Sequence, residues 1–249
     1  CTLSTNYLMR HLFFIIAALT VLLSGSEIYA QTLSFSAGAG IGTYNMTQLK
    51  DLNEVLQGEA PFETRIVSDF PPFLNYSASL KARVNLFRYG LEYSYLTTGS
   101  RVSANDYSGE YLLDMTLNGH LAGMSAGFVI PSSGKLEFSC SGVMGVIFTR
   151  LRINENLVVL EKQVLDTRLR ARSKAPYAGP VIGMSYPAGV FDFGLNAGYM
   201  FQITKGNFSL TDGNEGILTN PSTGKGVGPG WDGFRVGQTA GERFGGKHD

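Results

Sequence analysis

Charge is scarce in this 249-residue chain: Asp, Glu, Lys and Arg make up 16% of it, against roughly 25% in an average globular protein. The 20 basic and 20 acidic residues cancel, so there is no basic excess to neutralise a phosphate backbone, and nucleic-acid binding is excluded as the main role. The 2 cysteines are too few for a disulfide scaffold or a cysteine-rich zinc site. No metal and no cofactor are expected. Beyond residue 30 no apolar run approaches the roughly 20 residues that a membrane-spanning helix needs. What the chain does have is 31 Gly, 16 Phe, 12 Tyr and 44% hydrophobic residues, too apolar for disorder. Glycine and aromatics without charge suit β structure with one face in lipid.

The first 30 residues have the pattern of a processing signal. Arg10 and His11 precede an apolar run from Leu12 to Leu23, and Ser24, Gly25 and Ser26 lead to Ile28-Tyr29-Ala30. The run of about 12 residues is short for an anchor, so cleavage after Ala30 is expected, with Met9 as the true start. Residues 31–249 are then a single domain.

Along that domain, alternation with period two recurs over stretches of about ten residues, as membrane-spanning strands require. Over 74–86 one face reads Leu74, Tyr76, Ala78, Leu80, Ala82, Val84, Leu86 and the other Asn75, Ser77, Ser79, Lys81, Arg83, Asn85. The contrast is as complete over 191–203, and over 136–148 it puts Cys140 on the apolar face. With 33–45, 89–98, 111–130, 168–186 and 231–244, eight strands are expected. Connections alternate between long (46–73, 99–110, 154–167, 205–230) and short (87–88, 131–135, 187–189). The fold class predicted is all-β: an eight-stranded antiparallel up-and-down transmembrane β-barrel, closed so that no edge is left unpaired. Long loops would face the cell exterior and both termini the periplasm. The runner-up is a soluble lipocalin-type barrel, which would turn its aromatic face inward.

Phe35, Tyr89, Phe138, Tyr186, Phe191, Phe234 and Phe244 would form a lower aromatic girdle, and Tyr76, Tyr95, Phe148, Tyr199 and Phe201 an upper one. In the first long loop, Leu49, Leu52, Val55 and Leu56 recur at helical spacing, predicting an amphipathic helix over 46–57 that covers the barrel mouth. An eight-stranded barrel is filled by its own side chains, which disfavours transport. The expected inward set is Lys81, Arg83, Glu92, Asp114, Glu137, Asp192, Arg235 and Arg243. A two-residue turn at Phe87-Arg88 would place Arg83 opposite Glu92 as an internal ion pair. Gly38-Ala39-Gly40-Ile41-Gly42 and Thr223-Gly224-Lys225-Gly226 lack the helix that nucleotide-binding loops need and are read as barrel and loop glycines.

Phe70-Pro71-Pro72-Phe73, Thr98-Gly99-Ser100-Arg101, Asp106-Tyr107-Ser108-Gly109-Glu110-Tyr111 and the closing Trp231-Asp232-Gly233-Phe234-Arg235 resemble the small eight-stranded outer-membrane β-barrel proteins, more narrowly a group of surface barrels. The resemblance spans about residues 31–244. It implies a location in the outer membrane of a Gram-negative bacterium, a monomer, and partners among outer-membrane lipids, lipopolysaccharide included, and the barrel assembly machinery. It implies no reaction. Such barrels usually end on the aromatic of the last strand, whereas here residues 245–249 follow Phe244, and Gln238 and Glu242 fall on the apolar face.

Three candidate sites remain. Arg150 and Arg152 continue the outward phase of Phe148, and Arg170, Arg172 and Lys174 that of Ile182, Met184 and Tyr186. The five would form a basic outer ridge able to meet lipid phosphates. Arg101, Asp106, Tyr107, Glu110 and Tyr111 form a surface-loop motif, a contact for an extracellular ligand. The third is His120, the sole histidine of the barrel. It would centre a lipid A deacylase-like enzyme, but Ser125 and Glu110 are its nearest partners and Ser125, five residues on, points to the opposite face. A structural or surface-interaction role without catalysis is therefore expected.

Overall fold

The computed structural model describes residues 32–58, 64–107, 109–132, 134–160, 162–211 and 216–244. The expected signal segment and the residues after Phe244 lie outside them. The elements run β1 (Thr32–Gly42), α1 (Thr47–Gly58), β2 (Arg65–Asp69), β3 (Phe73–Val84), β4 (Phe87–Asp106), β5 (Gly109–Pro131), β6 (Glu137–Val159), β7 (Lys162–Ala188), β8 (Phe191–Gln202), β9 (Ser209–Leu210) and β10 (Gly233–Phe244). Eight strands close a ring in which every neighbour is antiparallel: β1, β3, β4, β5, β6, β7, β8, β10 and back to β1. The eight-stranded barrel expected from the period-two pattern is present. β2 and β9 are short additions to the upper parts of β4 and β7.

The aromatic and aliphatic face points outward, where Phe35, Met144, Leu195 and Val236 are exposed. A soluble carrier barrel would have it inside. The ten-residue step from Phe191 to Phe201 on β8, at about 3.3 Å per residue and a tilt of about 40°, gives an apolar belt roughly 25 Å tall. The girdles fall as expected with one exception. Phe234 begins a descending strand and lies opposite Tyr199, 4.7 Å from it ring to ring, so it belongs to the upper ring.

The wall is of two heights. β1, β3, β8 and β10 have 11 or 12 residues, whereas β4, β5, β6 and β7 have 20, 23, 23 and 27. Segments 99–110 and 154–167, expected as loops, are therefore strands that pair up to Asp106↔Gly109 and Val159↔Lys162. The other two long connections fold over the low side of the wall. Met46, Leu49, Leu52, Phe208, Val227 and Trp231 from these connections are buried against Leu113, Met115, Leu117, Leu121, Ile147 and Leu151 of the tall wall. The helix thus covers the barrel mouth as expected, held to β4 by Asn53 Nδ2, which donates to Ser100 Oγ at 2.8 Å. Trp231 is wholly buried and its indole N–H donates to Thr149 Oγ1 at 2.9 Å. Gly230 passes so close that a Cβ there would collide with the Asn45 carbonyl.

This apolar plug changes one face assignment. Asp114 was expected inside, but Leu113 and Met115 take the inward positions to meet the plug, and Asp114 turns outward to Arg101. The Arg83–Glu92 pair is also corrected. The β3–β4 turn is Asn85-Leu86, with Val84 opposite Phe87, so Arg83 faces Arg88 and Glu92 faces Ser79. Asn85 has φ +55, a left-handed conformation that asparagine tolerates well. The shift moves partners by an even number of residues, which preserves every face while changing every contact. Glu92 instead binds Lys81 at 3.2 Å. Arg83 binds Glu137 at 2.7 Å, and the same carboxylate takes Arg88 at 3.3 Å and Arg243 at 3.0 Å. Arg243 also reaches Asp192 at 3.1 Å. The lower lumen is thereby clamped by ions, the upper lumen by hydrocarbon.

Three outcomes follow for the barrel refolded in detergent and unfolded by urea under circular dichroism. Trp231→Ala should remove about 3–5 kcal/mol by leaving a cavity under α1, and Trp231→Phe about 1 kcal/mol for the lost hydrogen bond. Glu137→Gln, which leaves three guanidinium groups without their shared carboxylate, should remove about 3–5 kcal/mol.

Candidate functional site

Above the apolar belt, the outward residues of β4, β5, β6 and β7 line up in rows set by the strand register. Tyr95, His120, Phe148 and Lys174 form the lowest row, followed by Thr97, Asn118, Arg150 and Arg172. Next come Gly99, Thr116, Arg152 and Arg170, then Arg101, Asp114, Asn154 and Arg168. All five residues of the expected basic ridge are exposed on this outer face, and Arg150 directly opposes Arg172, as Arg152 opposes Arg170. The outward phase carried up from Phe148 holds without a bulge through Arg152.

Like charges directly opposite each other on a sheet destabilise it, so the neighbourhood of the ladder matters. The flanking arginines have carboxylates. Arg101 forms a two-pronged pair with Asp114, Nε to Oδ1 at 2.6 Å and Nη2 to Oδ2 at 2.9 Å, and Arg168 reaches Asp166 at 3.3 Å. The hydrogen bond to Asp114, then its charge, raises the Arg101 pKa above the usual guanidinium value. Among the described residues, Arg150, Arg152, Arg170, Arg172 and Lys174 form no ion pair. Asp114 on β5 is committed to Arg101 on the far side from β6. The cations face one another across a single strand pair, and the carboxylates nearest Arg152 and Arg170 in the same depression, Glu155 and Asp166, are held by Tyr111 and Arg168.

The row beneath is a polar-aromatic shelf. Asn118 Oδ1 accepts from Tyr95 OH at 2.8 Å and Thr97 Oγ1 at 3.2 Å, which fixes its oxygen. The Tyr93 hydroxyl lies 2.8 Å from His120 Nδ1, and the Tyr95 ring is 5.2 Å from the imidazole. The imidazole is therefore braced by tyrosines. Ser125 is buried on the inward face of β5 while His120 is on the outward face, so these two do not meet. The shelf was not foreseen as a unit, although the same extrapolation of phase that located the ladder would have found it.

The expected surface-loop motif is not one surface. Arg101 lies on the outer wall with Asp114, and Tyr107 stands fully exposed at the hairpin tip with Glu110 exposed nearby. Tyr111 is buried inside the tall wall, donating to Glu155 Oε1 at 3.0 Å. Asp106 ends β4, and its side chain, like Ser108, lies outside the described residues. The motif separates because the segment is a strand pair, whose residues alternate between two faces. Among the described residues no cluster of His, Cys, Asp and Glu has the arrangement of a metal site.

In detergent without phospholipid, Arg172→Glu should raise the melting temperature, because it replaces a repulsive cross-strand pair with an attractive one worth about 0.2–1 kcal/mol. Arg172→Lys should leave it unchanged; thermal melts followed by circular dichroism read both.

No family model matches the chain, and no curated protein matches it in sequence. Among solved structures it resembles Neisserial surface protein A, at 9% identity and TM-score 0.41 over 86% of this chain and 97% of that one. It also resembles Ail of Yersinia pestis, solved with the heparin analogue sucrose octasulfate, at 10% identity and TM-score 0.42 over 86% and 98%. A third is a major outer membrane protein of Thermus thermophilus, at 12% identity and TM-score 0.44 over 85% and 99%. Identities this low carry over no ligand, partner or activity.

Proposed function

We propose that the protein is an outer-membrane barrel with a structural and surface-interaction role, and that its basic ladder holds phosphate groups of the outer-leaflet lipid. The observation that carries this reading is the position of the ladder. Arg150, Arg152, Arg170, Arg172 and Lys174 stand on the outer wall in the rows at and immediately above Phe148. An exposed apolar surface far larger than a soluble monomer carries, about as tall as a bilayer's hydrocarbon, supports insertion in a membrane. On that reading the ladder lies at headgroup height. Guanidinium groups bind phosphate oxygens in pairs, and a phosphorylated lipid brings the counter-charge that the protein does not supply. The shelf of Tyr95, His120 and Asn118 lies at the interface, where aromatic rings with polar tips are favoured.

A second reading, contact with a ligand outside the cell, is favoured by the tall hairpins. They raise Tyr107 and Leu160, both exposed, well above the belt on a paired rather than a loose support. The two roles use different surfaces and are compatible.

The test expresses the chain from Met9 and follows membrane fractionation together with gel mobility before and after boiling. The protein is expected in the outer membrane with a heat-dependent shift in mobility. The variant with Arg150, Arg152, Arg170, Arg172 and Lys174 all changed to Gln should keep that shift and retain much less lipopolysaccharide through purification. Unchanged retention would exclude the ladder as a lipid site, and a soluble periplasmic product would exclude the membrane reading.

A further inference from the structure

Gln238 stands on the outer face of β10 in the middle of the apolar belt. Above it on the same face Phe234 belongs to the upper aromatic ring, and as far below it Glu242 lies opposite Phe35 and Phe191 of the lower one. The cross-strand neighbours of Gln238 are Ala39 and Leu195, and Val236 and Ala240 flank it along the strand. Its amide is exposed and forms no hydrogen bond among the described residues. Gln238 is the polar member of a depression of about 550 Å³ in the outer wall, lined by the alanines of the seam, Ala37, Ala39 and Ala240, and by the larger Met184, Phe193 and Leu195. The alanine row continues on β3 with Ala78, opposite Ala37.

On the membrane reading proposed above, on which this inference rests, a primary amide without a hydrogen-bond partner is strongly disfavoured in the hydrocarbon. Water and lipid headgroups begin at the aromatic rings, about 10 Å along the normal from Gln238, and an acyl chain has neither donor nor acceptor. The amide therefore calls for a polar group that another protein carries into the belt. We propose that this face is an interface between two copies of the chain, with the two Gln238 amides hydrogen-bonded to each other on a twofold axis along the membrane normal. An amide has both an acceptor and donors, so two of them satisfy each other. Barrels inserted in the same direction are related by rotation about the normal, which keeps each residue at its own height, so Gln238 on the axis meets its own copy. The same rotation brings the ridge of Phe193 and Leu195 towards the small side chains of the other copy's β1. Strands tilted by about 40° in each barrel cross at roughly 80°, which narrows the contact to the rows around Gln238. Glu242, about 13 Å farther along β10, then stands roughly 17 Å from its counterpart, and salt screens that repulsion. This arrangement departs from the monomer that the family resemblance implies.

The experiment follows self-association of the full-length barrel, by sedimentation equilibrium in density-matched neutral detergent and by cross-linking in the outer membrane. The unaltered protein should form a dimer. Gln238→Leu, which keeps the bulk and loses the amide, should weaken association by about tenfold or more, and heat-dependent gel mobility checks that the variant still closes its barrel. Ala37→Phe, which fills the depression, should act in the same direction. In a Cys140→Ala background, Ala240→Cys should give a product of twice the mass with a short bis-maleimide, and Ala122→Cys, on β5 across the ring, should not. A product of another mass from Ala240→Cys would place a different protein on the face and overturn the proposal. So would association unchanged by Gln238→Leu, or a protein in the outer membrane that keeps its heat-dependent shift but neither sediments as a dimer nor cross-links; the membrane reading survives each of these. A soluble periplasmic product would overturn both.

Discussion

The pairing of the first strand with the last is the constraint on which the rest of the structure depends. Between the two aromatic rings the outer face is mostly apolar, with Gln238 and Glu242 exposed on it, and in lipid no water would be at hand for a backbone N–H or C=O that lacks a protein partner. Residues Leu33 to Gly42 of β1 pair without interruption with Phe244 to Arg235 of β10, and this ladder turns an open sheet with two exposed edges into a closed wall. Once the ring closes, its circumference is set, and so is the narrow lumen that side chains must fill. The small residues on the inward side of the seam, Gly38, Gly40 and Gly237, follow from that. Added Cβ atoms at Gly38 and Gly40 would strike the β10 backbone.

Closure leaves the lumen to be filled, and the chain fills its two halves by opposite means. Below, along the apolar belt, apolar side chains point out and Glu137 gathers three arginines inside. Above, where the wall stands clear of the belt, the sense reverses. Leu113, Met115, Leu117 and Leu151 point in against α1, Phe208 and Trp231, while Asp114, Asn118, Arg150 and Arg152 point out. The change occurs near Leu121 on β5 and Phe148 on β6, the height of the polar-aromatic shelf. Among the described residues an apolar plug fills the upper lumen and an ion clamp crosses the lower one.

That reversal explains what was legible in the sequence. The number of strands and the outward face of the short strands were readable, because an apolar outer belt and a polar lumen give unbroken alternation from Leu74 to Val84 and from Phe191 to Phe201. Asp114 was misread because the rule linking apolar to outward fails above the belt. The β3–β4 register was misread because Leu86, an apolar residue in a turn, extends the alternating pattern past the strand, and only the left-handed conformation of Asn85 marks the corner. Segments 99–110 and 154–167 have the Ser, Asn, Asp and Gly content of loops and yet are held as strands by the neighbouring wall. The ladder was readable because it needs only the phase of Phe148 carried four residues upward, over which no bulge intervenes.

Arg150 opposite Arg172 and Arg152 opposite Arg170 contribute nothing favourable to the isolated fold. Cross-strand like charges weaken a sheet, and the same wall shows one row higher how an arginine is accommodated when stability alone is at stake: Arg101 with Asp114, two-pronged at 2.6 and 2.9 Å. The four facing guanidinium groups therefore make sense as half of an interaction whose other half lies outside the chain. On the proposed lipid-binding role, a phosphate tethered in a surrounding leaflet would meet that requirement better than a free ion. It would be present at high local concentration at the height of the ladder, and a lipid bearing more than one phosphate could span both arginine rows at once, gaining the second contact without a second loss of translational freedom. The repulsion stored in the empty ladder then becomes part of the driving force for occupancy.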